Sequence, residues 1–178
     1  MKKLISLIFG MVISISLFAQ QNVVWFQDIP IDGAKREIRK ELRARGYAYN
    51  RAGDYFKGIV DGQESKIILH GTRRMVDAIG VVNNVEKSNL ADAYNSKVEQ
   101  FLNDEDYIFI AGGKINQKSI DDYRMVAYPE FYHTVFHQKC YIEGTVDVDM
   151  ESTKKNIVGI SIGKLKDCYY LAVIYLQR

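Results

Sequence analysis

Two periods of apolar spacing divide the chain. Between Asp28 and Gly46 the period is helical: Ala34, Ile38 and Leu42 stand four residues apart, while Lys35, Arg36, Arg39, Lys40, Arg43 and Arg45 take most of the remaining circumference, with only Glu37 and Glu41 among them. The pattern predicts one helix with an acidic start and a glycine stop. Asp32 is expected to accept the free N–H groups of the first turn, Ile31 to fold back onto the apolar face, and Gly46 to take the left-handed conformation that ends a helix. A second helix is predicted from Leu90 to Leu102, where Leu90, Tyr94, Val98, Phe101 and Leu102 recur at helical spacing and Asn89 and Asp92 suit the roles of cap and box partner.

Elsewhere the period is two. After a short extended segment at Tyr47 and Tyr49, Tyr55 to Asp61 alternates Phe56, Gly58 and Val60 on one side with Tyr55, Lys57 and Ile59 on the other. Gly62 with Gln63 is expected to turn the chain, Ser65 to Gly71 to run back, and Met75 to Asn83 to add a third strand, making an antiparallel meander under the first helix. Further strands are predicted at Tyr107 to Ala111, Phe131 to Gln138, Cys140 to Asp149, Ile157 to Gly163 and Cys168 to Leu176, with one helical turn around Ile120 to Met125 in an otherwise weakly patterned stretch. The last of these strands, CYYLAVIYL, is apolar on both parities and so belongs inside the sheet. The fold class is α+β: an antiparallel sheet of about six to eight strands with two main helices packed on one face.

Residues 1–19 change the charge argument. Lys2 and Lys3, an apolar run from Leu4 to Phe18, and Leu17 and Ala19 at the positions a signal peptidase samples predict a leader cleaved after Ala19 and a periplasmic or secreted product. Residues 20–178 then make a single domain, with the first helix and meander over 20–86 and the second helix and C-terminal strands over 87–178. No segment of the mature chain is long and apolar enough to suggest a membrane span. Loss of Lys2 and Lys3 leaves 22 basic residues against 22 acidic ones. A neutral exported chain is a poor polyanion binder, so nucleic acid is not an expected partner.

Candidate chemistry is sparse. Cys140 and Cys168 are candidates for a disulfide in an oxidising compartment, with two separate buried thiols as the other reading. His133 and His137 lie on one side of a predicted strand, roughly 13 Å apart at strand rise, too far to share a zinc ion without a bulge. His70, alone on the first meander, is expected to be an ordinary satisfied side chain. Asp121, Asp122, Asp147, Asp149 and Glu151 offer carboxylates without the turn of a calcium loop. Gly112-Gly113-Lys114 lacks the spacing of a phosphate loop, and Ser161, though framed as Gly159-Ile-Ser161-Ile-Gly163, sits in plain strand alternation. No catalytic residue, metal or cofactor is expected. What remains is surface: Arg36, Arg39, Lys40 and Arg43 as a partner-contact face, and the tyrosines clustered over 123–141 and 169–175 as a second contact face or as packing under the helices.

The leader, FQDIPIDGAKREIRKELRARGYAY, FKGIVDG and the apolar tyrosine-rich final strand resemble a set of uncharacterised secreted or periplasmic proteins of gut-type Bacteroidetes, over most of residues 24–176. In architecture, helix followed by meander is similar to the units of β-lactamase inhibitor proteins and of small outer-membrane assembly lipoproteins, although this chain lacks a lipobox cysteine and an inhibitor's contact residues. The resemblance implies an exported binding or scaffold module. The expected function is therefore a noncatalytic interaction or structural module with a protein or glycan partner; the alternative is a small periplasmic hydrolase or carbohydrate-active protein whose carboxylates converge in a cleft.

Overall fold

A computed structural model describes residues 23–117, 133–139, 156–165 and 168–177. A two-stranded hairpin, β1 (Trp25–Phe26) and β2 (Ile29–Pro30), leads into α1 (Lys35–Ala44). Next come β3 (Ala48–Asn50), β4 (Tyr55–Val60), β5 (Gln63–Gly71) and β6 (Val76–Val85), then a 3-10 turn at Lys87–Asn89 that runs into α2 (Leu90–Leu102). The remaining strands are β7 (Tyr107–Ala111), β8 (Thr134–Gln138), β9 (Ile157–Leu165) and β10 (Cys168–Leu176). Strands β3 to β10 form one eight-stranded antiparallel sheet in the order β3-β4-β5-β6-β10-β9-β8-β7. The expected α+β fold is thus present, and β10 lies inside the sheet between β6 and β9. The predicted turn at Ile120 to Met125 and strand at Cys140 to Asp149 fall outside the described residues, as does the leader.

Cross-strand register explains why both helices share a face. Leu69, Ile79 and Tyr175 lie in one row, and Ile67, Val81, Val173 and Ile160 in the next. Phe56 stands opposite Ile67, and Phe136 opposite Val158. All of these point to one side. There, Ile38 and Leu42 of α1 close an apolar cluster with Phe26, Phe56, Ile67 and Ile79, while Leu90, Tyr94, Val98 and Phe101 of α2 close another with Phe136, Ile160, Leu171 and Val173. Tyr175 packs against both. Its ring meets Phe26 edge-on at 5.3 Å and Phe101 at 6.5 Å, so it joins the two halves of the core.

Three local expectations are corrected. The N-cap of α1 is Ala34 rather than Asp32, without a side-chain cap, because the chain enters the helix two residues later than the acidic signal suggests. Asn89 likewise gives α2 no side-chain cap; the Ala91 N–H is taken instead by Gln117 Oε1 at 3.0 Å, from a distant segment. The β4–β5 turn is Asp61-Gly62, not Gly62-Gln63: both residues have positive φ, 50° and 77°, as a two-residue type I′ turn requires, and Val60 pairs directly with Gln63. The predicted end of α1 is correct. Gly46 has φ 87°, its N–H donates to Arg43, and the Tyr47 N–H donates to Leu42, a Schellman motif whose flanking side chains Leu42 and Tyr47 are both core.

Two glutamines fasten the N-terminal hairpin to the sheet. Gln138 Oε1 accepts the Trp25 N–H at 2.8 Å while its Nε2 donates to the Trp25 carbonyl at 3.4 Å and to the Tyr107 hydroxyl at 3.1 Å, so the side-chain amide acts as an extra peptide unit. Gln177 Oε1 accepts the Val24 N–H at 2.6 Å.

Candidate functional site

The basic stripe of α1 does not face water as one surface. The chain leaves β3 through a turn over residues 51–54 in which Asn50 Oδ1 accepts the Gly53 N–H at 3.0 Å and Asp54 takes φ 50°. This conformation aims the Asp54 carboxylate back at α1. It accepts from the Tyr49 hydroxyl at 2.7 Å and from Lys35 Nζ at 3.3 Å, and it also binds the Arg39 guanidinium. The Tyr49 ring, seated on Phe56 at 4.9 Å, has the Arg39 and Arg43 guanidinium carbons 5.1 and 5.2 Å from its centroid.

Electrostatics follows from these contacts. The Tyr49 hydroxyl first, then Lys35 and Arg39, hold the Asp54 carboxyl below the usual carboxylate range, and the same bond to Asp54 raises Tyr49. Asp54 is ionised at any neutral pH. Because the Asp54 carboxylate is open to water, the ion pairs contribute little stability, and their effect is to fix where Lys35 and Arg39 stand. Of the expected contact residues, Arg39 is engaged by Asp54 and Tyr49, Arg43 lies over the same ring, and Arg36 and Lys40 are exposed. Arg45, also on the stripe, is used locally, donating to the carbonyls of Gln27 and Asp28 in the β1–β2 turn.

Similar bracketing occurs at two further tyrosines. Tyr55 has the Lys57 and Lys66 ammonium groups 5.9 and 5.8 Å from its ring centroid, and Tyr169 has those of Lys87 and Lys164 at 5.9 and 5.2 Å. A recess of about 480 Å³ beside Tyr55 is lined by Lys57, Ile59, Glu64, Lys66, Val82 and Asn84. Compared with known proteins, the chain matches no family model, no curated protein and no solved structure. The cation–aromatic clusters therefore have to be read from their own chemistry: each offers positive groups beside a flat ring, and at Tyr49 one of them is held by a carboxylate, a combination that suits carboxylates and the polar or ring-bearing side chains of a partner.

The other candidates fall elsewhere. Ser161 is buried opposite Ala172 in the middle of β9, far from any turn. Gly112 and Gly113, both at positive φ, let the chain press against β8: a β-carbon on Gly112 would overlap the His133 carbonyl and Thr134, and the Gly113 N–H donates to Thr134 Oγ1 at 3.0 Å. Thr134 in turn bonds the buried Tyr94 hydroxyl. His133 Nδ1 accepts the Ile162 N–H at 3.3 Å, and His137 is buried on β8 opposite Ile157. His70 lies against Gly80, and burial lowers its pKa. Among the described residues no three His, Cys, Asp or Glu side chains gather as a metal site, and no helix is long and apolar enough to cross a membrane. Cys168 is a free, exposed thiol at the start of β10; Cys140 lies outside the described residues, as do Asp121, Asp122, Asp147, Asp149, Glu151, Tyr123, Tyr128, Tyr132 and Tyr141.

Sequence reasoning separated the basic helix from the tyrosines and missed Asp54. The available signal was the Asn50-Arg51-Ala52-Gly53-Asp54 turn itself, whose asparagine and glycine favour a tight return toward the preceding helix.

Proposed function

We propose that the protein is an exported, noncatalytic interaction module that engages an acidic protein partner through the outer face of α1. The observation that carries this reading is the stacking of Arg39 and Arg43 on Tyr49, with Asp54 holding the Tyr49 hydroxyl and the Arg39 guanidinium, beside the exposed Arg36 and Lys40. Free arginines lose rotamer freedom when they bind; a guanidinium already stacked on a ring, as in Arg43, or both stacked and held by a carboxylate, as in Arg39, loses less, which favours a surface used for contact. Export rests on the leader over residues 1–19. Among the described residues the carboxyl group whose titration is displaced is Asp54, held ionised by the Tyr49 hydroxyl and then by Lys35 and Arg39, which suits a structural anchor better than an acid catalyst.

The test is recovery of partners from the envelope fraction of the host with the mature protein as bait. Changing Arg36, Lys40 and Arg43 together to Glu is expected to remove the bound partner while leaving Trp25 fluorescence unchanged. Recovery of the same partner by the charge-reversed protein would place the contact elsewhere and overturn the reading.

A further inference from the structure

A recess opens over β4, β5 and β6 on the face of the sheet opposite the helices. Phe56, Ile67 and Val81 point into the core under α1, so by alternation the next residues along each strand point the other way. There Lys57 and Lys66 stand directly opposite each other, and Val82 extends their row on β6. Two residues on, Ile59 stands opposite Glu64, and Asn84 lies two residues beyond Val82. All six line the recess.

Lysines placed directly opposite each other repel, and among the described residues no carboxylate pairs with either. What holds them is Tyr55. Its ring lies over Gly53, where a β-carbon would overlap it, and its hydroxyl accepts from Asn50 Nδ2 at 3.1 Å, so the ring is fixed. The Lys57 and Lys66 ammonium groups stand 5.9 and 5.8 Å from its centroid. A ring attracts a cation without taking its N–H groups, so both lysines keep their donors for a ligand. Glu64 and Asn84 are exposed at the other end, and Ile59, 58% exposed, adds apolar area to that of Val82.

We propose that this recess binds a short zwitterionic peptide, two or three residues long, with an apolar side chain. Its terminal carboxylate meets Lys57 and Lys66, its terminal ammonium meets Glu64 and Asn84, and its side chain covers Ile59 and Val82. Charge and length select this occupant. A plain anion answers the lysines and leaves Glu64 facing it, whereas a zwitterion answers both ends. The two rows are about 7 Å apart at strand rise, and the lysines lean toward Tyr55, away from Glu64, which lengthens the gap. A single amino acid carries both charges on one carbon and cannot reach both ends; two or three extended residues span about 7 to 10 Å and can. The volume, about 480 Å³, suits a ligand of this size. The site is separate from the outer face of α1, which packs on the other side of the sheet. Since its charges are open to solvent and screened by salt, affinity is expected at about 0.1 to 1 mM.

Calorimetric titration of the protein with the tripeptide alanyl-valyl-alanine, beside its N-acetylated and C-amidated forms, tests this. The free tripeptide is expected to bind one to one, and blocking either end to weaken it at least about fivefold. Lys57→Gln with Lys66→Gln should weaken the free tripeptide about tenfold and bring it level with the C-amidated form, and Glu64→Gln should bring the free and N-acetylated forms level. Trp25 fluorescence checks the fold of each variant; if one fails to fold, the blocked peptides on the wild type still decide. Arg36→Glu with Lys40→Glu should bind the tripeptide as the wild type does, so failure of the α1 contact and failure of this site are read separately. Three results overturn the proposal: no saturable binding up to about 10 mM peptide, equal affinity for the free and both blocked forms, or loss of binding in the Arg36 and Lys40 variant.

Discussion

At the scale of single residues, the most exacting position is Gly58. It stands in the middle of β4 on the core side, where a regular strand would carry a β-branched residue, and the Tyr47 ring lies across it so closely that any β-carbon would overlap the ring. Tyr47 cannot yield easily, since its hydroxyl is bound by Gln27 and its backbone closes the Schellman motif of α1. Gly58→Ala is therefore expected to cost about 2 kcal/mol, read as a lowered urea midpoint with unchanged slope. An unchanged midpoint would mean that the ring moves freely and that the helix exit does not depend on it.

At the scale of elements, the sequence announced most of what pairs by short-range rules. Both helices, the Gly46 stop and the alternation of β4 were legible because helical and strand periods and a positive-φ glycine leave marks within a few residues. Partners brought from afar left no such mark. Gln117 at the start of α2, Gln138 and Gln177 under the hairpin, and Asp54 beneath α1 are single polar residues in turns or at strand ends, and an amide or carboxylate has no spacing that betrays which backbone it will meet. The same limit applied to the candidate site: Arg36, Arg39, Lys40 and Arg43 were visible as charges, but which of them are fixed and which are free depends on the Asp54 turn. The hairpin dock is testable on its own. Gln138→Ala should speed exchange of the Trp25 amide by about tenfold, the worth of one or two hydrogen bonds, and should alter the emission of this single tryptophan. Retained protection at Trp25 would show that Gln177 and Phe26 suffice to hold the hairpin.

At the scale of the whole molecule, partly buried tyrosines set a limit in alkali. Tyr107 is pushed up to about 12, by burial first and by Asp104 next, and burial holds Tyr175, the ring between the two cores, far above the ordinary value of 10.0. The folded chain thus keeps protons that the unfolded chain gives up. Stability is at its full value below about pH 10 and is lost as pH rises through about 12. Urea midpoints taken at intervals across that window should fall steadily, with part of the phenolate absorbance appearing only as the chain unfolds. Complete tyrosine ionisation near pH 10 with the fold intact would contradict the burial of these two hydroxyls.

The position of β10 has a consequence in time. The strand at the centre of the sheet is the last of the eight in the chain, so until it arrives β6 and β9 face each other across a vacant place, and neither half of the core can meet the other through Tyr175. A chain delivered N-terminus first, from a ribosome or through a translocation pore, is kept from early closure by its own strand order and completes the sheet in one late step.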